Sequence, residues 1–149
     1  MSNPKLTFSM KLSDSSSLVT GNLELIDLDG KEIDYLATSG LCGYQDKDNI
    51  WTRARGPIPP GSDYSVPTIP YYLSTKGIEG NFFHITPDPI TSSQGITRGE
   101  FGVHFDANGP GSAGCIVLIR KESFNTFCER MKKIADAGVN SIPLKIVYS

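Results

Sequence analysis

Residues 99–105 read GEFGVHF, and their alternation decides how the surrounding chain is laid out. In an extended strand Phe101, Val103 and Phe105 point one way, so Gly102 and His104 point the other. With the aromatic side as core, His104 belongs to a face expected to open on a cleft. The stretch 106–114, DANGPGSAG, follows, and Cys115 then opens the apolar run 115–119, CIVLI, which suits a buried strand.

Outward from this pair, the rest of the chain reads as strands and one helix. In LTFSMKL (6–12) Leu6, Phe8, Met10 and Leu12 alternate, the period of a half-buried strand. A second run covers 18–28, and its phase shift between Leu25 and Ile26 predicts a bulge. Asp29-Gly30 predicts a hairpin with a type I′ turn, leading into a third strand through Ile33, Tyr35 and Ala37. Residues 56–70 carry five prolines, which excludes a helix and confines any strand to short or edge pieces. We expect that segment to line or cover a cleft. NFFHITP (81–87) is a further strand.

In residues 122–137 the apolar positions Phe124, Phe127, Cys128, Met131, Ile134 and Ala135 form one helical stripe, and Gly138 is placed to end it. Cys128 falls inside that stripe and is assigned to packing. SIPLKIVYS (141–149) alternates as a closing strand. The expected architecture is a single domain, 1–149, mainly β with one main amphipathic helix in its C-terminal part.

Composition narrows the function. The net charge is −2 and charged residues make up 20% of the chain, so nothing electrostatic favours nucleic acid as a partner. No apolar stretch reaches the ~20 residues of a membrane span. The start, MSNPKLTFSMKLSDSSS, lacks the basic and apolar regions of a signal peptide, so synthesis in the cytoplasm is expected, with any export by another route. Cys42, Cys115 and Cys128 are an odd number, so one thiol at least is free within a monomer. Their spacings fit no zinc pattern, and with two histidines no metal or other cofactor is expected.

The chemistry gathers at His104 and Cys115. A thiol attacks as its thiolate and needs a base, a stabilised oxyanion and an approach for the substrate. The small residues 111–114 would let a carbonyl come close to the backbone, and the amides of Gly114 and Cys115 could form an oxyanion hole. A plain hairpin, with Cys115 only beginning a core strand, explains the same composition. His84, in the apolar context FFHIT, reads as a satisfied structural histidine. Both histidines precede Cys115, the reverse of papain-like order, and there is no H-E-x-x-H, G-x-S-x-G or phosphate-loop pattern.

RGEFGVHFDANGPGSAGCIVL (98–118) resembles the signature of the L,D-transpeptidase catalytic domain family, in which a histidine strand leads through a loop to S-H-G-C-I/V. Ser112, Gly114, Cys115 and Ile116 match its ending, and His104 matches the upstream histidine. GPIPPGSDYSV (56–66) is similar to the family's T-P-x-G-x-Y/F element through Pro60, Gly61 and Tyr64.

The resemblance implies a β-sandwich and acyl transfer on peptidoglycan stem peptides, without cofactor. Cys115 would attack at the L–D bond of the third residue, with His104 as base and then acid. The main-chain carbonyl of Phe105 would orient the imidazole, with the Asp106 side chain as a rival. Ser112 and Tyr64 would help hold substrate.

Three departures stand out: a short His–Cys loop, Ala113 in place of the second histidine, and Val117 where the family often has an arginine. Arg98 could substitute for that charge, or be an ordinary solvated arginine. The alternatives are an L,D-carboxypeptidase or endopeptidase degrading wall as an antibacterial effector or phage lysis protein, and a non-catalytic wall-binding domain. An effector would bring an immunity protein as partner.

Overall fold

Alternation along the first strand sets the frame, because every second side chain of β1 (Lys5–Met10) is buried. A computed structural model describes residues 3–73, 80–105 and 112–149 of the chain. β1 lies between β2 (Gly21–Ile26), which it meets antiparallel, and β11 (Ser141–Tyr148), which it meets parallel. The register puts Phe8 beside Leu23 and Ile146, and Leu6 beside Leu25 and Leu144, so core rows cross the strands. β3 (Glu32–Ser39) continues the sheet on the far side of β2.

The remaining strands are β4 (Gly61–Pro67), β5 (Tyr71–Leu73), β6 (Gly80–His84), β7 (Ile90–Thr91), β8 (Thr97–Arg98), β9 (Gly102–Phe105) and β10 (Ile116–Leu118). Nine strands form one sheet in the order β4-β11-β1-β2-β3-β10-β9-β6-β5, and β7 and β8 make a separate ribbon. The sheet curls until its edge strand β4 meets the chain beyond β6: Ser65 on β4 exchanges both backbone hydrogen bonds with Thr86, just past β6, at 2.8 and 2.9 Å. The protein is thus mainly β, a curled sheet with one helix among the described residues.

α1 (Lys121–Asp136) buries Phe124, Phe127, Met131 and Ile134 in the main core. Phe127 meets Phe83 and Tyr35 edge-on, with centroids at 5.2 and 5.6 Å, a favoured aromatic geometry. Gly138 stops the helix at φ 92°, where only glycine is unstrained. Cys128 is half-buried against the same core, and all three cysteines are free. This helix is too short and polar to cross a membrane, and no other helix occurs among the described residues.

Several local expectations change. Register between β1 and β2 is continuous through Leu25 and Ile26, and the sheet's irregularity falls between Leu144 and Ile146 against β4. The phase change at Ile26 therefore marks the strand's end. The Asp29-Gly30 hairpin forms, but only Gly30 has positive φ, so the turn is not type I′. Gly30 N–H bonds Asp27 O and Asp27 N–H bonds Lys31 O, a type I turn closed by a glycine bulge. Within 56–70, β4 is an edge strand of seven residues, as proline permits.

Candidate active site

β9 and β10 are parallel neighbours, with Val103 beside Ile116, His104 beside Val117 and Phe105 beside Leu118. Val103, Ile116 and Leu118 point into the main core. Pleating then turns Gly102 and His104, with Cys115 and Val117, to the opposite face. There Phe82, Cys115 and Val117 form a small apolar cluster of their own. The expected face is right, but it is not open: His104 is only 5% exposed. The ring of Phe82 covers it, stacked at 5.8 Å between centroids and 26° between planes. Gly102 permits this, since any Cβ there would collide with the Phe82 ring.

The imidazole has a defined tautomer. Its Nδ1 lies 2.8 Å from the main-chain oxygen of Phe105, and a carbonyl can only accept. Nδ1 therefore carries the proton and Nε2 is the basic nitrogen, the orientation expected of Phe105. Burial holds the His104 pKa below its ordinary value, with the Phe105 bond opposing. Burial also pushes the Cys115 thiol up to about 11, opposed chiefly by the Gly102 amide. At neutral pH the two groups rest uncharged. The thiol donates to Glu100 O at 3.7 Å, and no hydrogen bond joins it to His104. Asp106 lies outside the described residues.

The short turn before Cys115 is held from several sides. Ser112 Oγ donates to Cys115 O at 2.6 Å and accepts from the amides of Gly40 and Gly114 at 3.1 and 3.2 Å. Ser39 Oγ donates to Gly114 O at 2.8 Å and accepts from Ile58 N–H at 2.9 Å. Gly114 sits at φ 129°, and a Cβ there would meet Phe101 and Arg98. Ser112 is thus a bracket for the turn. The Gly114 amide assigned to the oxyanion hole is already engaged by Ser112, which leaves that of Cys115 as the candidate donor.

Arg98 is neither solvated nor free to take a substrate charge. It is 5% exposed, and its guanidinium donates to the carbonyls of Ile50, Gly56, Pro57 and Ala113. It also stacks over Phe101 at 5.0 Å. Its position ties the chain around residues 50–57 to the cysteine turn. Tyr64 likewise spends its hydroxyl internally, on Pro59 O at 2.8 Å, and burial pushes its pKa up to about 12. It does not line the cavity at Cys115.

That cavity holds about 660 Å³, and Cys115, Ala113, Arg98, Phe82, His84 and Asp88 are among the residues that line it. No residue of the proline-rich segment 56–70 lines it; Arg53 and Ala54 do so instead. Ala54 and Glu100, both in its wall, are the two non-glycine residues with left-handed backbone among those described, at φ 63° and 62°. Such strain is often kept where it serves a site. At Glu100 the amide is held by Asp88 Oδ1 at 3.1 Å while the carbonyl meets the Cys115 thiol.

His84 was expected to be structural, and it is satisfied: Nε2 meets Asp88 Oδ2 at 2.6 Å, and Nδ1 meets the Tyr71 hydroxyl at 3.2 Å. Yet it lines the same cavity as Cys115. The i, i+4 spacing of His84 and Asp88 was the available signal in the sequence. No known protein family, curated protein or solved structure matches the chain.

Proposed function

We propose that this chain is a cysteine acyltransferase of the L,D-transpeptidase kind, acting on peptidoglycan stem peptides through a Cys115 acyl-enzyme. Cys115 attacks the carbonyl of the third stem residue while its proton passes to His104 Nε2. The tetrahedral intermediate collapses as His104 hands that proton to the departing D-alanine amine. The acyl group then moves to an acceptor amine. The observation that carries this reading is the placement of His104 and Cys115 on one face of adjacent strands, with His104 Nδ1 anchored on Phe105 O.

Because thiol and imidazole rest uncharged, the proton transfer belongs to the attack itself; no thiolate–imidazolium pair waits in advance. The buried face lowers the charge-stabilising power of water, so the amide of Cys115 is the group left to meet the oxyanion. The proposal includes the family's β-sandwich frame, which the mainly β chain with its curled sheet supports.

Incubation with tetrapeptide muropeptides followed by mass spectrometry tests the proposal. Cross-linked dimers are expected. Shortened monomers alone would replace transfer by hydrolysis, the carboxypeptidase or wall-degrading reading. The same products from Cys115→Ala would remove the thiol from the chemistry and leave a wall-binding domain.

A further inference from the structure

Two histidines, not one, flank the thiol on the same face of the sheet. On β6, Phe83 pairs with Val103 and His84 with Gly102. Phe83 is in the main core, so Phe82 and His84 share the face of Gly102, His104 and Cys115. His84 thus lies two strand spacings from the cysteine strand, about 10 Å away across Gly102. A single row of rings connects them: Tyr71 stacks on Phe82 at 6.2 Å, and Phe82 lies 6.3 Å from His84 and 5.8 Å from His104.

The two imidazoles differ in access. His104 is covered by Phe82 and anchored on a main-chain carbonyl. His84 is half-buried, lines the cavity and stands in a chain of side chains. Asp88 is acceptor-only when ionised, so His84 Nε2 donates to it, and in the neutral ring Nδ1 accepts from the Tyr71 hydroxyl. Tyr71 is 52% exposed and lines the cavity that holds the thiol.

Acyl transfer needs proton removal twice, once from the thiol and once from the incoming nucleophile. We propose that Tyr71, His84 and Asp88 form the acceptor-side proton relay of this site, leaving His104 to serve acylation; the proposal rests on the acyl-transfer reading above. In deacylation the acceptor amine, or water in its place, attacks the Cys115 thioester carbonyl. The new C–N or C–O bond forms and the C–S bond breaks. The proton leaving the nucleophile passes to Tyr71 Oη as the tyrosine's own proton passes to His84 Nδ1, and Asp88 stabilises the imidazolium so formed. The expelled Cys115 thiolate regains a proton from water in the open cavity, and His84 returns its extra proton to the same water. No oxidant or further reactant is required.

The test uses the whole chain with tetrapeptide muropeptide, following release of D-alanine rapidly and acyl-enzyme by intact mass. Tyr71→Phe removes only a hydroxyl from an exposed ring, so folding is preserved; Asp88→Asn provides a second variant of the same relay. The expected result is a first-turnover burst at the unaltered rate, followed by steady turnover slowed ~10²-fold with acyl-enzyme accumulating. His104→Ala should show the opposite pattern, a slow burst and no accumulation. A burst slowed as much as turnover, or unaltered turnover in Tyr71→Phe, overturns the relay. Absence of any acyl-enzyme in the unsubstituted protein overturns the acyl-transfer reading itself, and the relay with it.

Discussion

The phenyl ring of Phe82 stacks on the imidazole of His104, 5.8 Å between centroids and 26° between planes, across a strand position that only glycine can fill. This contact removes water from one side of the ring, and desolvation is the largest influence holding the His104 pKa down. Phe82→Ala should hydrate the imidazole and let its charged form compete, so the pKa should rise toward the ordinary value of about 6.5. An NMR titration of the two histidine rings reads this directly. An unmoved His104 resonance would assign its desolvation to the rest of the fold.

The protonation states at rest predict the pH dependence of the thiol. Alkylating reagents consume thiolate, and a Cys115 pKa of about 11 leaves very little of it at neutral pH. Alkylation of Cys115 should therefore accelerate about tenfold per pH unit between pH 7 and 10, without a plateau. Substrate acylation should behave differently, since it needs only neutral His104. It should fall off on the acid side, below the usual imidazole range, because the folded protein depresses that pKa. A plateau of alkylation near neutrality, measured by mass spectrometry of the Cys115 peptide, would reveal a preformed ion pair instead.

Strand parity was legible in the sequence wherever one face of a strand meets the core. The side to which His104 points, the helix stripe and the Tyr35 strand all followed from spacing, because burial acts on alternate or every third to fourth residue. What covers the other face was not legible. Phe82 and His104 are 22 positions apart, and nothing local says that Gly102 admits a ring between them. Arg98 misled for the same reason: its four partners are backbone carbonyls, which leave no mark in a residue pattern. The curl of the sheet brings Ser65 and Thr86 together in a long-range bridge, which spacing cannot reveal. His84 and Cys115 share a wall only because two strands carry them to Gly102 from opposite sides.

Arg98 should matter first to the fold and through it to the reaction. Arg98→Met keeps much of the stem but leaves the carbonyls of Ile50, Gly56, Pro57 and Ala113 without their donor. Unpaired buried acceptors cost about 1–3 kcal/mol each, partly relieved by water, so a loss of about 3–5 kcal/mol is expected. Arg98→Lys keeps the charge but cannot present a planar fork to several carbonyls, and should recover only part of that loss. Urea unfolding measures both, provided the slope is unchanged. Full stability of Arg98→Met would return this arginine to the role of a substrate contact.

Ser112 tests whether the turn before Cys115 is a positioning device. Its hydroxyl donates to Cys115 O and receives the amides of Gly40 and Gly114, so one oxygen sets the direction of the peptide that carries the nucleophile. Ser112→Ala should cost about 1–3 kcal/mol of stability through these lost partners. It also frees the Gly114 amide, which could then turn toward an oxyanion. If freeing that donor were what the reaction lacked, kcat would rise. We expect the reverse: kcat falls ~10-fold or more while KM hardly changes, because the Cys115 amide and sulfur lose their fixed direction. Ser112→Thr keeps the hydroxyl at this half-buried position and should restore most of the rate. Steady-state kinetics on both variants, with unfolding curves alongside, separates a loosened nucleophile from a loosened fold: only the former spares KM and responds to the returned hydroxyl.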